Sequence, residues 1–549
     1  MTRSEAPPGN GYPEIERADI LHPVLDAAAM RAADAWTIQT LGVAEVALME
    51  TAGREAARMA ASMLSGPVQD TRTLRVVVCA GKGNNGGDGL VAARWLLDAG
   101  FGVHVFLTAP PTEGTEGYRA NLAILTRLLD MGHAPGLVLR HAGDWSVEEW
   151  LGMPADLIID GLFGTGLEAS LRPPFDVLVR RMNEHGAPIL SLDIPSGLSA
   201  STGRAFDPCI QATATVSMGA LKTGHLLEDG PDVSGRIEVA RIGIPSTQVR
   251  QQAASPGSGF LSTDAWVSVH LRPRSRHDHK YTTGPTIVVG GSPAFPGAPA
   301  LAARAAARVG SGYVVTAGPE RIKALLQERL DAIPVSAWSE EQDAEAAVAD
   351  MIEELGSRWT KARALLVGPG MGRGEDVRAR LWALLDRFDG PVVLDADALF
   401  AIREDRDRIA ARAEGRWILT PHEGELARLA PHMPRDISRI EHVRQVAHAW
   451  KCVVLAKGQP SISAAPDGRV MINSSGHPAA ATAGSGDVLA GITAGLLAQG
   501  LDPFAAAAAG IHIGGTAASQ FVEGKAAQSL TAPDIIDALP NVLRQLTDT

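Results

Sequence analysis

Residues 74–107, LRVVVCAGKGNNGGDGLVAARWLLDAGFGVHVFL, decide the fold. LRVVVCA (74–80) reads as a strand, 88–99 as a helix and VHVFLT (103–108) as the next strand. Two strands joined through a helix make a crossover unit, and repeated crossovers build a largely parallel sheet. Working outward, the alternation continues through a helix at 116–131, DLIID (156–160), a helix around 175–185, PILSLD (188–193), TATVSM (213–218) and RIEVARI (236–242). Upstream, 24–61 holds two helical patterns behind a polar, proline-rich lead. A second series starts at PTIVVGG (285–291) and runs through a helix over 298–309, GYVVTA (312–317), ALLVG (364–368), PVVLDA (391–396), WILT (417–420) and CVVLA (452–456). A helix near Asp487 and an alanine-rich one from 503 to about 522 close it. The polar, small-residue run STQVRQQAASPGSGF (246–260) separates the series. The expectation is an α/β protein of two domains, 20–245 and 262–549, with 246–261 as linker.

Composition agrees. A chain of 549 residues is too long for one ordinary core. Its 58 glycines against only 11 Phe and 4 Tyr fit many tight turns between short apolar runs, as α/β proteins have. The net charge of −12 argues against nucleic acid or an anionic membrane as the main partner. The N-terminal residues lack the apolar stretch of a signal peptide, and no run approaches a membrane span. Cys79, Cys209 and Cys452 are scattered, with no CxxC spacing, and read as buried free thiols. A cytoplasmic protein is expected.

Three polar loops follow strands in the first series. In GKGNNGGDGLVAAR (81–94), Gly81, Gly83 and Gly86 spell GxGxxG between a strand and a helix. Such a loop lets backbone N–H groups approach a phosphate at a helix N-terminus, although a tight structural turn has the same pattern. A dinucleotide-binding reading wants an acidic residue at the end of the second strand. That strand ends Thr108-Ala109-Pro110-Pro111, with neither an acid nor a nearby Arg. Asn84, Asn85 and Asp88 add amides and a carboxylate that a plain phosphate loop would not need. DGLFGTGL (160–167) and DIPSGL (193–198) follow later strands. Ligands of open α/β sheets bind at this edge, so the three loops are expected to converge. Oxygen atoms of Asn85, Asp160 and Ser196 suit a hard monovalent cation.

In the second series TAGSGDVLAG (482–491) opens a helix with a glycine-rich turn and places Asp487 in its first turn. The N–H groups of such a turn form an anion hole for a transferring phosphoryl group, and Asp487 is placed to accept the proton of an attacking hydroxyl. A capping Asp would look similar. GxxxxGK[ST] is absent, as are the HRD and DFG motifs of protein kinases. The GxGD pattern resembles the ribokinase-like superfamily.

The combination LMETAG (48–53), GKGNNGGDGLVAAR, DGLFGTGL, DIPSGL and MGALKTGHL (218–226) resembles the NAD(P)H-hydrate epimerase domain, over roughly 20–245. The resemblance implies a Rossmann-like three-layer sandwich. It implies substrate contacts from Asn84, Asn85, Gly86, Gly87 and Asp88, from Gly164, Thr165, Gly166, Leu167, Glu168, Ala169 and Ser170, and from Asp193. It also implies K⁺ at Asn85, Asp160 and Ser196. Thr51 stands where the family usually has Asn, and Arg172 comes later than the family's Arg. Epimerisation concerns C6 of the hydrated nicotinamide ring, where C–O cleavage and re-addition is accessible beside the ring nitrogen. Asp193 is the expected catalytic proton-handling group. Lys222 is second, because a lysine in a KTG turn is more often merely exposed.

HKYTTG (279–284), IVVGGS (287–292), PGAPALAARAAARVGSG (296–312), VGPGMG (367–372), LDADAL (394–399), TPHEGELARL (420–429) and AKGQPS (456–461) resemble the NAD(P)H-hydrate dehydratase branch of the ribokinase-like class. Carried over by motif, Ala298, Gly370, Gly372, His422 and Asp487 line the hydrate. Lys457, Gly458, Gln459, Pro460, Ser461 and Gly486 line the adenine nucleotide. Ser461 replaces a family Thr, TAGSGD the usual TGGTGD, and Glu423 a common Pro. The implied mechanism has Asp487 as base while the C6 hydroxyl attacks the terminal phosphoryl of ADP, with Mg²⁺ on the nucleotide. Phosphate then leaves, pushed by the ring nitrogen. Hydrated NADH and NADPH are the implied substrates, and a homo-oligomer is expected from the same resemblance. Two alternatives stay open. One is a small-molecule kinase of the ribokinase-like class with an accessory nucleotide-binding domain, the other an N-terminal half that binds without turnover.

Overall fold

The computed structural model describes residues 21–65, 73–110, 112–141, 143–146, 150, 153–432, 434 and 437–548. The chain forms two compact units, one holding 23–259 and the other 260–549. The expected lead, 1 to about 20, lies outside the described residues.

The N-terminal unit is built on a seven-stranded sheet. Across it the strands run Leu137–Arg140, Gly102–Leu107, Arg75–Ala80, Leu157–Gly161, Ile189–Leu192, Ala214–Met218 and Arg236–Ala240, with parallel pairings throughout. Successive side chains of a strand point to opposite faces. Val76, Val78 and Ala80 therefore pack with Ala52, Ala56 and Leu90 of two helices. Val77 and Cys79 pack on the other face with Trp150, Leu178 and Met182. Both faces are covered, which gives three layers and explains why apolar residues of these strands point to both faces. From Arg75–Ala80 the chain turns one way to Gly102–Leu107 and later returns on the other side as Leu157–Gly161. Such a switch point opens a crevice at the C-terminal strand ends.

The helix after the first strand spans Asn84–Asp98, four residues earlier than the expected start at 88. A glycine run argues against helix, but here tertiary packing decides. A Cβ on Gly86 would lie 1.7 Å from the Gly81 carbonyl oxygen, and one on Gly87 2.7 Å from Met49 Sδ. Only glycine lets this helix begin so close to the loop that feeds it. The segment expected as linker is also folded. Ser246–Gln252 is a helix, with Gln248, Val249 and Ala253 buried, and Gly259–Leu261 is a strand. Ser258 Oγ accepts from the Asp26 N–H at 3.0 Å. Val249 and Ala253, one turn apart, supply a narrow apolar face that the surrounding polar residues disguise.

The C-terminal unit carries parallel strands in the order Val335–Trp338, Tyr313–Pro319, Pro285–Val289, Ala364–Val367, Val392–Leu394, Ile418–Leu419 and Val453–Ala456. Ser461–Ala464 and Val470–Asn473 extend it as an antiparallel meander. Helices Ala298–Arg308, Ser485–Ala498, Pro503–Val522 and Ala532–Thr547 share its main core. Pro285–Val289 lies between Tyr313–Pro319 and Ala364–Val367, a second switch point. Among the described residues no helix is long and apolar enough to cross a membrane. Cys79, Cys209 and Cys452 are free and buried.

Candidate active sites

In the N-terminal unit the loops after three strands meet at a cavity of 760 Å³. The glycine loop gives it Gly81, Lys82, Gly83, Asn84, Asn85 and Asp88, and the second loop gives Leu162, Phe163, Gly164, Thr165, Gly166 and Leu167. Asp193, Met218 and Lys222 complete the sheet edge. A Cβ on Gly81 would lie 2.0 Å from the Leu162 carbonyl oxygen, so glycine there lets the first two loops touch. Gly86 and Gly87 are buried behind the wall and shape the helix start. Glu168, Ala169 and Ser170 are exposed and do not line the cavity.

Asp193 directly follows Ile189–Leu192 and holds φ +63°, a left-handed backbone that is costly for a residue with a Cβ. Its Oδ1 accepts from the Met218 N–H at 3.0 Å and from Lys222 Nζ. Lys222 is fully buried, which corrects the expectation of an exposed turn lysine. Its ammonium also donates to the Met218 carbonyl at 2.6 Å and to Ser217 Oγ at 3.2 Å. An unpaired charge at such depth would be very costly, so the partner set accounts for the burial. His225 approaches the Asp193 carbonyl at 3.1 Å, and burial beside Lys222 drives its imidazole down to about 3.

The residues expected to hold a cation converge. Asp160 Oδ1 accepts from Ser196 Oγ at 2.6 Å, and its Oδ2 accepts from Ser191 Oγ and the Ser196 N–H, both at 2.9 Å. Burial raises the Asp160 carboxyl, and these hydrogen bonds oppose that rise. Asn85 Nδ2 donates to the Phe163 carbonyl at 2.8 Å, while Ser196 Oγ lies 3.0 Å from the Phe163 N–H. Asn85 Oδ1 is buried without a hydrogen-bond partner among the described residues. An orphaned amide oxygen beside a buried carboxylate and a peptide carbonyl fits a monovalent cation that takes oxygen ligands.

The cavity also holds two carboxyl groups with no hydrogen bond or ion pair among the described residues. Burial, then the charges of Asp193 and Asp34, pushes Asp88 well above the usual carboxylate range. Asp34, on helix Ala27–Gln39, is pushed up to about 6 by burial; Lys222 opposes the rise, and Asp193 and Glu45 add to it. Sequence reading missed Asp34, although its place one turn after Met30 and one before Ile38 marks a polar residue on an inward stripe.

In the C-terminal unit, Asp487 sits in the first turn of Ser485–Ala498, after Gly484 with φ +87°. Burial, then Asp395, pushes its carboxyl up to about 7; Lys457 opposes the rise and Asp397 adds to it. Lys457 Nζ donates to Asp395 Oδ1 at 2.9 Å, and Thr420 Oγ1 to the same oxygen at 2.7 Å. A Cβ on Gly486 would lie 3.5 Å from Lys457 Nζ, so the ammonium stands over the N–H groups of the helix start. Burial works against that ammonium, but Asp395 and Glu425 outweigh it and raise the group. Positive charge and helix N–H groups together suit a phosphate.

The other expected residues gather around this pair. Gly372 N–H donates to Asp397 Oδ2 at 2.9 Å. A Cβ on Gly370 would touch Ala298 Cβ at 3.0 Å, which places Ala298 and Gly370 side by side. His422 caps the helix Glu423–Leu429, and the preceding Pro421 carbonyl accepts from the Lys457 N–H at 2.8 Å. His422 Nδ1 accepts from the Gly424 N–H at 3.0 Å, and its Nε2 faces Glu425 Oε1 at 3.4 Å. Gly458, Gln459 and Pro460 form the turn closed by Ser461 Oγ donating to the Gly458 carbonyl at 2.9 Å. Arg439 braces that turn through the Lys457 and Pro460 carbonyls. Asp395, Asp397, Thr420 and Glu425 had no expected role, although LDADAL and TPHEGE contained them.

A family model described as YjeF-related protein N-terminus matches residues 45–224, and one described as NAD(P)H-hydrate dehydratase matches 286–541. The chain is 41% identical to the Bifunctional NAD(P)H-hydrate repair enzyme Nnr of Salinibacter ruber, over 95% of this chain and 96% of that one. It is 38% identical to the protein of the same name from Moorella thermoacetica, over 92% and 94%. A solved ADP/ATP-dependent NAD(P)H-hydrate dehydratase from Bacillus subtilis, co-crystallised with ATP/Mg²⁺, is 29% identical, covering 52% of this chain and 98% of its own, with a TM-score of 0.45.

Proposed function

This chain belongs to the family of bifunctional NAD(P)H-hydrate repair enzymes, and from that premise we propose which unit performs which step and with which residues. The N-terminal unit interconverts the R and S hydrates at C6. The C-terminal unit returns the S hydrate to NAD(P)H at the expense of ADP, releasing AMP and phosphate. Hydration makes both epimers, a stereospecific dehydratase consumes one, and the epimerase makes the other usable.

For epimerisation, the supporting observation is the buried Asp193–Lys222 ion pair at the wall of a cavity large enough for a substituted nicotinamide ring. Asp193 handles the proton of the C6 oxygen, and Lys222 positions Asp193. Asn84, Asn85 and Asp88, with Gly164, Thr165, Gly166 and Leu167, hold the substrate. K⁺ would sit on Asn85, Asp160 and Ser196 and supply a fixed positive charge beside the glycine loop.

For dehydration, the supporting observation is the placement of Asp487 behind a glycine turn with Lys457 over the same turn. Asp487 takes the proton of the C6 hydroxyl as that oxygen attacks the terminal phosphoryl of the nucleotide. The N–H groups of Gly484, Ser485 and Gly486 and the ammonium of Lys457 meet the charge that develops. Phosphate then leaves, pushed by the ring nitrogen, to give an N1–C6 iminium, and passage of a C5 proton to the released phosphate forms the C5–C6 double bond of the reduced nicotinamide. Mg²⁺ would come with the nucleotide phosphates. The cytoplasm, where the reduced cofactors are used, is the proposed location, and a homo-oligomer the proposed assembly.

The test mixes purified protein with both hydrate epimers of NADH, K⁺, Mg²⁺ and either ADP or ATP, and follows reduced-nicotinamide absorbance. Full recovery with ADP, faster than spontaneous epimerisation allows, supports both activities. Recovery of the S share alone, with the R share returning only at the spontaneous rate, overturns the epimerase assignment. A stable phosphorylated product with no recovery makes the chain a small-molecule kinase instead.

A further inference from the structure

Inversion at C6 by loss and return of oxygen needs acid/base work on both faces of the ring. The leaving hydroxyl must be protonated on one side, and the incoming water must lose a proton on the other. Asp193, at the sheet edge, is assigned to one of these faces.

Residues of a helix line the same cavity. Helix Ala27–Gln39 presents Met30, Asp34 and Ile38 to it, at one-turn spacings on a single face. Met30 and Ile38 are the expected apolar residues of such a stripe, and Asp34 between them is the exception. Its carboxyl has no hydrogen bond or ion pair among the described residues, and it lies within the electrostatic reach of Lys222 and Asp193. The fully buried ammonium of Lys222, by contrast, is committed to Asp193, Ser217 and the Met218 carbonyl.

We infer that Asp34 is the second acid/base group of the epimerase, acting on the ring face opposite Asp193. The inference rests on the epimerase assignment above. In one direction the ring nitrogen lone pair forms the N1–C6 double bond while the C6–O bond breaks. Asp34 gives its proton to the departing oxygen, which leaves as water. A second water adds to C6 from the other face and its proton passes to Asp193. One proton has moved from Asp34 to Asp193, and exchange with solvent resets the pair. The reverse direction exchanges the two roles. A carboxyl pushed up to about 6 both holds and releases a proton near neutrality, as this exchange requires. Asp88 lines the same cavity from the helix of the glycine loop and is assigned above to holding the substrate.

The experiment uses the full-length protein without nucleotide, so only epimer interconversion is read, by chromatographic separation of the hydrates in H₂¹⁸O. Wild type is expected to take up ¹⁸O at C6 with inversion. Asp34→Asn is expected to lower kcat about a hundredfold or more in both directions with KM little changed, and Asp34→Glu to recover part of it. Dehydration of the S hydrate with ADP should stay at the wild-type rate, which reports a folded chain. Interconversion by Asp34→Asn within about threefold of wild type overturns the assignment. So does inversion by wild type without ¹⁸O uptake. Wild type that fails to interconvert the epimers refutes the epimerase reading itself, a different outcome from either.

Discussion

Asp487, the proposed base, sits in surroundings that resist its ionisation. Burial and the nearby carboxylate of Asp395 push it up to about 7, and Lys457 restrains the rise. Below that value the carboxyl holds its proton and cannot accept another. The dehydration rate should therefore climb as pH rises through about 7 and level off above it, in kcat/KM measured across pH 5–9. Asp395→Asn removes the charge that raises Asp487 and frees Lys457 to act on it, so the inflection should move down. An inflection that stays or moves up would show that the three groups are not coupled. Asp487→Asn should abolish the inflection, slow dehydration by about a hundred- to ten-thousandfold and spare epimerisation. The stability sign follows too. A raised carboxyl is better protonated in the folded state, so its cost is absent at low pH and grows as pH rises to about 7. Asp487→Asn should unfold at a higher temperature than wild type at pH 8, with the gap closing toward pH 5. Motifs singled out Asp487 and Asp193 as candidates in the sequence. They could not show that Lys222 is buried against Asp193, because that depends on burial rather than residue type.

At the scale of elements, two helices position the proposed dehydratase site by close approach. A Cβ on Gly491 would lie 2.1 Å from the Ala302 carbonyl oxygen, and one on Gly495 2.9 Å from the Ala306 carbonyl oxygen. Gly484 likewise stands against Leu301. The contacts advance together along both helices, so Ala298–Arg308 and Ser485–Ala498 run parallel with their N-termini at one end. That puts Ala298 beside the turn that carries Asp487. Gly491→Ala has backbone rather than a flexible side chain in its way, and overpacking of this kind costs about 1–3 kcal/mol or more. It should lower the thermal midpoint and the dehydration rate together, while epimerisation at 25 °C stays within about twofold of wild type. Normal dehydration with unchanged stability would mean that the helices separate freely. The strand–helix alternation was readable because valine and isoleucine runs mark strands buried on both faces. The helix at Ser246–Gln252 and the early start at Asn84 were not, since local polarity and glycine content pointed away from helix and only packing reversed them.

At the scale of the molecule, each site draws its residues from a single unit. The proposed epimerase cavity is lined between Met30 and Ile242, and the proposed dehydratase residues fall between Ala298 and Asp487. Two sequence series with different motifs already implied that division, because neither loop set repeats the other. Sites built this way should work when carried on different molecules. Asp193→Asn with ADP is expected to return the S share of a mixed hydrate sample quickly and the R share only at the spontaneous rate. Asp487→Asn is expected to return almost none. An equimolar mixture of the two proteins should recover both epimers, because the R hydrate inverted on one protein diffuses as S hydrate to the other. Its second phase should slow on dilution, whereas the wild-type conversion at the same site concentration sets the upper limit. A mixture that recovers no more than Asp193→Asn alone would mean that one substitution disables both sites, and the assignment of one reaction to each unit would fail.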